Sequence, residues 1–158
     1  MINAFVIDDR ISLFQVLNTS QDEIQFYISE ELHPREEDIK LYDLLIKLFE
    51  EANELMAKDE IDILLIDNAM DGIKGLEDNN NTWISDIFNN LEENDKLLQL
   101  ISNVRENVPI AVFSGYEGER RGLQNILESK LGTTIYRVSK SDLDQGKYIL
   151  EIKNILEN

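Results

Sequence analysis

"IDILLIDNAMDG", residues 61–72, is the stretch on which the fold turns. Its first six residues are aliphatic save for one aspartate, and the run stops abruptly at Asp67. A short apolar run with so little polar alternation suits a strand covered on both faces, as in a parallel sheet. The aspartate that ends it has two readings. It fits a turn former or a helix N-cap. It also fits a reactive carboxylate at the end of a strand, and the rest of the chain must decide between them.

Similar runs lie on either side. "AFVI" (4–7), "IAVF" (110–113) and "TIYRV" (134–138) read as strands, and "IQFYI" (24–28) is a weaker fifth. Helical spacing fills the intervals. Residues 37–58 place Leu41, Leu44, Leu45, Leu48, Phe49 and Ala52 at three- and four-residue steps. Residues 82–107 do likewise through Ile84, Phe88, Leu98 and Ile101, with a break expected near 92–95. Residues 120–131 end at Gly132, a helix stop. Residues 141–158 carry Tyr148, Ile149, Ile152 and Ile155 on one face, and a short first helix follows Asp9. Strands alternating with helices predict β-α-β crossovers and an open, doubly wound α/β sheet. No repeat or linker divides the chain, so residues 1–158 read as one domain.

Charge narrows the partners. The chain has 32 acidic and 15 basic residues, a formal net charge of -17. Nucleic acid and anionic membrane surfaces are therefore poor partners. Cations or a basic protein surface suit this charge, and acidity also serves solubility. There is no cysteine, which removes disulfides and thiolate chemistry. "MINAFVIDD" has no basic and long apolar signal pattern, and no apolar run reaches membrane-spanning length. A cytoplasmic location is the expectation.

In such a sheet, ligands bind outside the carboxyl ends of the strands. The residues just after the runs are Asp8 and Asp9, then Asp67, then Ser114 and Gly115, then Ser139 and Lys140. Parallel strands would bring three carboxylates, a hydroxyl and an ammonium to one rim. Clustered carboxylates repel, so a divalent cation or raised pKa values must relieve them. Hard oxygen donors beside phosphate suit Mg²⁺. An aspartate there can attack a phosphoryl group to form an acyl phosphate. A lysine and a hydroxyl can then hold the phosphoryl oxygens. Singly, each residue is also a turn, a cap or a surface charge; their order along four strand ends favours the functional reading.

Together these residues resemble the receiver domain of two-component response regulators, over essentially the whole chain. The acid pair is Asp8 and Asp9, the phosphoacceptor position is Asp67 within "DNAMDGIKG", the hydroxyl position is Ser114 and the lysine is Lys140. The resemblance implies a flavodoxin-like five-stranded fold. It implies Mg²⁺ held by Asp9, Asp67 and the main-chain carbonyl of Ala69, with Asp8 acting largely through water. It implies a phosphoryl donor that is a histidine kinase or histidine phosphotransfer protein, and a downstream protein target. The chain would be no enzyme beyond its own phosphotransfer and autodephosphorylation, and as a stand-alone receiver it would act through other proteins.

Departures from the family pattern are specific. Asp71 stands where proline is usual, and Ser141 follows Lys140 where the family has proline, commonly in cis. A cis bond without proline costs about 2.5–4 kcal/mol, so a trans bond with a reshaped loop, or a strained site, is expected. Arg137 stands at the switch aromatic, beside Tyr136. The intervals between motifs run long, with the surplus in 37–58 and 76–96. These departures support an alternative, a degenerate receiver acting as a phosphorylation-independent interaction module. A Mg²⁺-dependent phosphatase is disfavoured because "DDR" lacks an Asp-x-Asp pattern, and a nucleic-acid mimic leaves the strand ends unexplained. His33 reads as a solvated loop residue and Trp83 as a core or helix-start contact.

Overall fold

Continuous apolar strands need cover on two sides, and they receive it. In the computed structural model, which describes residues 1–76, 82–141 and 143–158, the strands are β1 (Ile2–Ile7), β2 (Ile24–Ile28), β3 (Ile63–Ile66), β4 (Ile110–Ser114) and β5 (Tyr136–Ser139). They form one all-parallel sheet in the order β2-β1-β3-β4-β5. The helices are α1 (Ile11–Ser20), α2 (Leu41–Ala57), α3 (Ile84–Asn89), α4 (Lys96–Asn107), α5 (Glu117–Leu131) and α6 (Lys147–Glu157). This is the doubly wound α/β arrangement that the strand pattern predicts, with the flavodoxin-like fold that the resemblance implies. Among the described residues, no helix is long and apolar enough to cross a membrane.

Side chains alternate across each strand. Phe5, Ile7, Leu64, Ile66, Ile110 and Val112 face one core, packed under α2, α3, α4 and α5. Ala4, Val6, Ile63, Leu65, Ala111 and Phe113 face the other, packed under α1 and α6. The edge strand β2 alternates, with Ile24 and Phe26 buried and Gln25 and Tyr27 exposed, which is why its run reads as the weaker one. The chain leaves β1 toward β2, then crosses back to β3 on the other side of β1. That reversal places a crevice at the carboxyl ends of β1 and β3, the topological switch point.

Several boundaries differ from the spacing. The helix expected from 37 starts at Leu41, because Ile39 bridges Leu76 in parallel and donates its N–H to the Gly75 carbonyl at 2.8 Å. Residues 37–40 are thereby held outside the helix. The break expected near 92–95 is real: α3 stops at Asn89, and Asp95 caps α4 by accepting the Leu97 N–H at 2.8 Å. The helix expected from 120 begins earlier, at Glu117, and ends as expected at Gly132, in the left-handed region at φ 66°. The last helix begins only at Lys147, after a short 3-10 turn at Leu143–Gln145. The core of the acidic Asn-rich stretch, residues 77–81, lies outside the described residues.

Candidate functional site

Ladder hydrogen bonds carry the strand ends into register. The Asp67 N–H donates to the Ile7 carbonyl at 2.8 Å, continuing the β1–β3 pairing one residue past the strand. Asp8 and Asp67 therefore stand side by side. On the far side, the Lys140 N–H donates to the Ser114 carbonyl at 3.1 Å and ties β5 to β4. Lys140 then reaches back over the sheet. Its Nζ donates to Asp67 Oδ2 at 2.9 Å and also pairs with Asp8 Oδ2. Its ammonium lies 5.6 Å from the Phe113 ring centroid and 6.0 Å from that of Phe14, so apolar walls bound the charge.

Asp8 is 1 % exposed, and Asp67 and Lys140 are each 7 % exposed. Asp9 is half-buried and accepts the Gly72 N–H at 2.9 Å through Oδ2. One carboxylate oxygen from each of Asp8, Asp9 and Asp67 lies within 4.8 Å of the other two, the one such acidic group among the described residues. Gly72 is required by close approach. A Cβ there would lie 2.7 Å from Asp9 Oδ2. Gly72→Ala is therefore expected to displace Asp9 and, if the acidic cluster holds a divalent cation, to weaken that binding by about tenfold, a cost of roughly 1.4 kcal/mol. Isothermal titration with MgCl₂ checks this, and unchanged affinity refutes it.

The loop after β3 is pinned by Asn68, which the sequence reading passes over. Its Oδ1 accepts the Ser85 N–H at 2.7 Å and its carbonyl accepts the Ile84 N–H at 2.9 Å. Both donors belong to the start of α3, whose N-cap Trp83 supplies no side-chain acceptor. Met70 adds an N–H to the Thr82 carbonyl at 2.9 Å, and Ala69 pairs with Trp83. Ala69 is thus held at the edge of a cleft of about 410 Å³ that Asp9, Asp67, Ser114, Glu119 and Lys140 also line. Arg10, Asp71, Trp83, Gly115 and Tyr116 complete its walls.

Ser114 is buried, and its hydroxyl donates to Glu119 Oε2 at 3.1 Å. Arg120, half-buried, donates from Nη1 to the Ser114 carbonyl at 2.6 Å. Neither Glu119 nor Arg120 carries a sequence signal. No cis peptide occurs among the described residues, so the bond after Lys140 is trans. The loop there is reshaped by serines: Ser139 Oγ accepts the Ser141 N–H at 3.0 Å and donates to Ser141 Oγ at 2.8 Å. Arg137 is exposed and forms no ion pair among the described residues.

Burial dominates the protonation of Asp8. It pushes the carboxyl from 3.8 up to about 7, against the pull of Lys140 and with the repulsion of Asp67. The unfolded chain has released that proton by about pH 5. Asp8 thus contributes stability at low pH that is lost as the pH rises from about 4 to 7. Without divalent cation, the wild type is expected to lose stability relative to Asp8→Asn between about pH 5 and 8, by on the order of a few kcal/mol. Urea titrations across that range would give parallel curves if burial did not hold the proton.

One ammonium offsets only one of the three clustered carboxylates. The all-oxygen donor set, its closeness and its surplus negative charge fit a small hard divalent cation such as Mg²⁺. Comparisons with protein-family models, with curated proteins and with solved structures found no match to this chain.

Proposed function

We propose that this chain is a phosphoacceptor of the receiver type. Asp67 takes a phosphoryl group from a phosphohistidine, carried by a histidine kinase or a histidine phosphotransfer protein, and the modified protein regulates a protein target. The observation that carries this reading is the Asp8–Asp9–Asp67 cluster at the switch point, with Lys140 bound to two of its members.

Asp8, Asp9, Asp67 and the Ala69 carbonyl would hold Mg²⁺. When bound, the cation supplies positive charge against the carboxylates and the phosphoryl oxygens. The chain's own residues do the rest. Asn68 N–H holds Asp67 Oδ1 at 2.8 Å and Lys140 holds Oδ2, so the nucleophile keeps one orientation. One Asp67 oxygen forms the bond to phosphorus as the phosphorus–nitrogen bond of the donor breaks, and that bonding pair leaves with the imidazole. Lys140 then faces a phosphoryl group in place of a free carboxylate. The cleft wall carries Ser114, whose hydroxyl is the natural donor to a phosphoryl oxygen.

Acetyl phosphate with Mg²⁺, followed by intact mass, tests the reading. A gain of one phosphoryl group that EDTA prevents is the expected result, and no gain at any concentration rejects it. A second reading, an interaction module independent of phosphorylation, draws on Arg137, an exposed arginine where the receiver pattern has its switch aromatic.

A further inference from the structure

The hydroxyl available for a phosphoryl group is already engaged. A serine hydroxyl has one proton to donate, and Ser114 gives it to Glu119 Oε2 at 3.1 Å. The same oxygen accepts the Tyr116 N–H at 3.3 Å. The Ser114 main chain is fixed as well, since its carbonyl accepts from Arg120 Nη1 at 2.6 Å and from the Lys140 N–H at 3.1 Å. What remains free to change is the direction of the hydroxyl, and Glu119 holds it. Both side chains line the cleft in which Asp67 stands.

We propose that Glu119 is a positioning residue that holds the Ser114 hydroxyl away from Asp67 and so opposes phosphoryl binding; this rests on the phosphoacceptor reading above. The opposition has two physical parts. Ser114 must give up a charge-assisted hydrogen bond before it can donate to a phosphoryl oxygen. Glu119 also sets a negative charge beside the cleft that a phosphoryl dianion must enter. A plain alternative is that Glu119 serves only the helix dipole in the first turn of α5. Glu117 separates the two roles: it sits in the same turn but pairs outward with Arg121 at 2.7 Å.

Beryllofluoride titration in the presence of Mg²⁺, read by the fluorescence of Trp83 on the cleft wall, tests the proposal. Glu119→Ala is expected to bind about tenfold more tightly than wild type, the scale of one charge-assisted hydrogen bond released. Glu119→Gln, which keeps an acceptor but no charge, is expected to show a smaller gain of the same sign. Glu117→Ala is expected to match wild type. In a Ser114→Ala background the Glu119→Ala gain should shrink to the part that comes from the lost charge, no larger than the Glu119→Gln gain. The proposal is overturned if both Glu119 variants bind as wild type, if the full gain survives without Ser114, or if Glu117→Ala reproduces it. Absence of a response from every protein, wild type included, overturns the phosphoacceptor reading and the positioning role with it.

Discussion

Replacing Lys140 by methionine is expected to cost about 3–5 kcal/mol of folding stability in cation-free buffer near pH 8, the usual cost of stripping a buried ion pair of one partner. Methionine keeps an apolar stem beside Phe14 and Phe113 but removes the one cation that, among the described residues, binds Asp8 and Asp67. Two buried carboxylates are then left to repel each other. The cost should shrink toward pH 5, where Asp8 already carries its proton and only Asp67 lacks its partner. Saturating Mg²⁺ should restore much of the loss, because a cation that binds only the folded state stabilises it by mass action. Urea unfolding at pH 5 and pH 8, with and without MgCl₂, provides the measurement. A pH-independent loss would mean that the stem's packing, and not the charge, is what Lys140 supplies.

The sheet was legible because burial on two faces leaves a mark in the chain. Residues 63–66 read as a strand since each of them is fully buried. The order β2-β1-β3-β4-β5 was not legible from spacing; only the flavodoxin-like class of fold was expected, through the likeness to the receiver pattern. The residues after each strand were legible for a topological reason. Parallel strands send all their carboxyl ends to one edge, so Asp8, Asp67, Ser114 and Lys140 must approach one another wherever the helices go.

What stayed hidden depends on contacts between loops. Glu119 reaches Ser114 because α5 starts at Glu117, three residues before the spacing suggests. Asn68 drew no reading of its own from the sequence, yet it seats α3 by accepting from two main-chain donors. Its role could have been suspected, since an asparagine preceding an uncapped helix start is a ready acceptor. Gly72 carried a signal of spacing only; its need is set by Asp9, 63 residues away in sequence. Asp71, the charge that first breaks the receiver pattern, proves to be exposed at the cleft wall, so water screens it.

Asp67→Asn is expected to abolish the phosphoryl mass gain entirely, since an amide oxygen does not form a stable acyl phosphate. It is also expected to weaken Mg²⁺ binding by at least about tenfold, because affinity for a hard cation follows the number of charged ligands. The same change should ease the cation-free fold. Lys140 would then serve Asp8 alone, the repulsion from Asp67 that helps raise the Asp8 carboxyl would be gone, and its titration should move below about 7. Three measurements on one variant thus carry opposite signs: phosphoryl uptake lost, cation affinity reduced, cation-free stability at pH 8 maintained or raised. A simple folding defect cannot produce that combination. If the variant, soluble and folded, still captured the same protein target as the phosphorylated wild type, the interaction-module reading would be the correct one and Asp67 would serve the fold's cation site without serving as a phosphoacceptor.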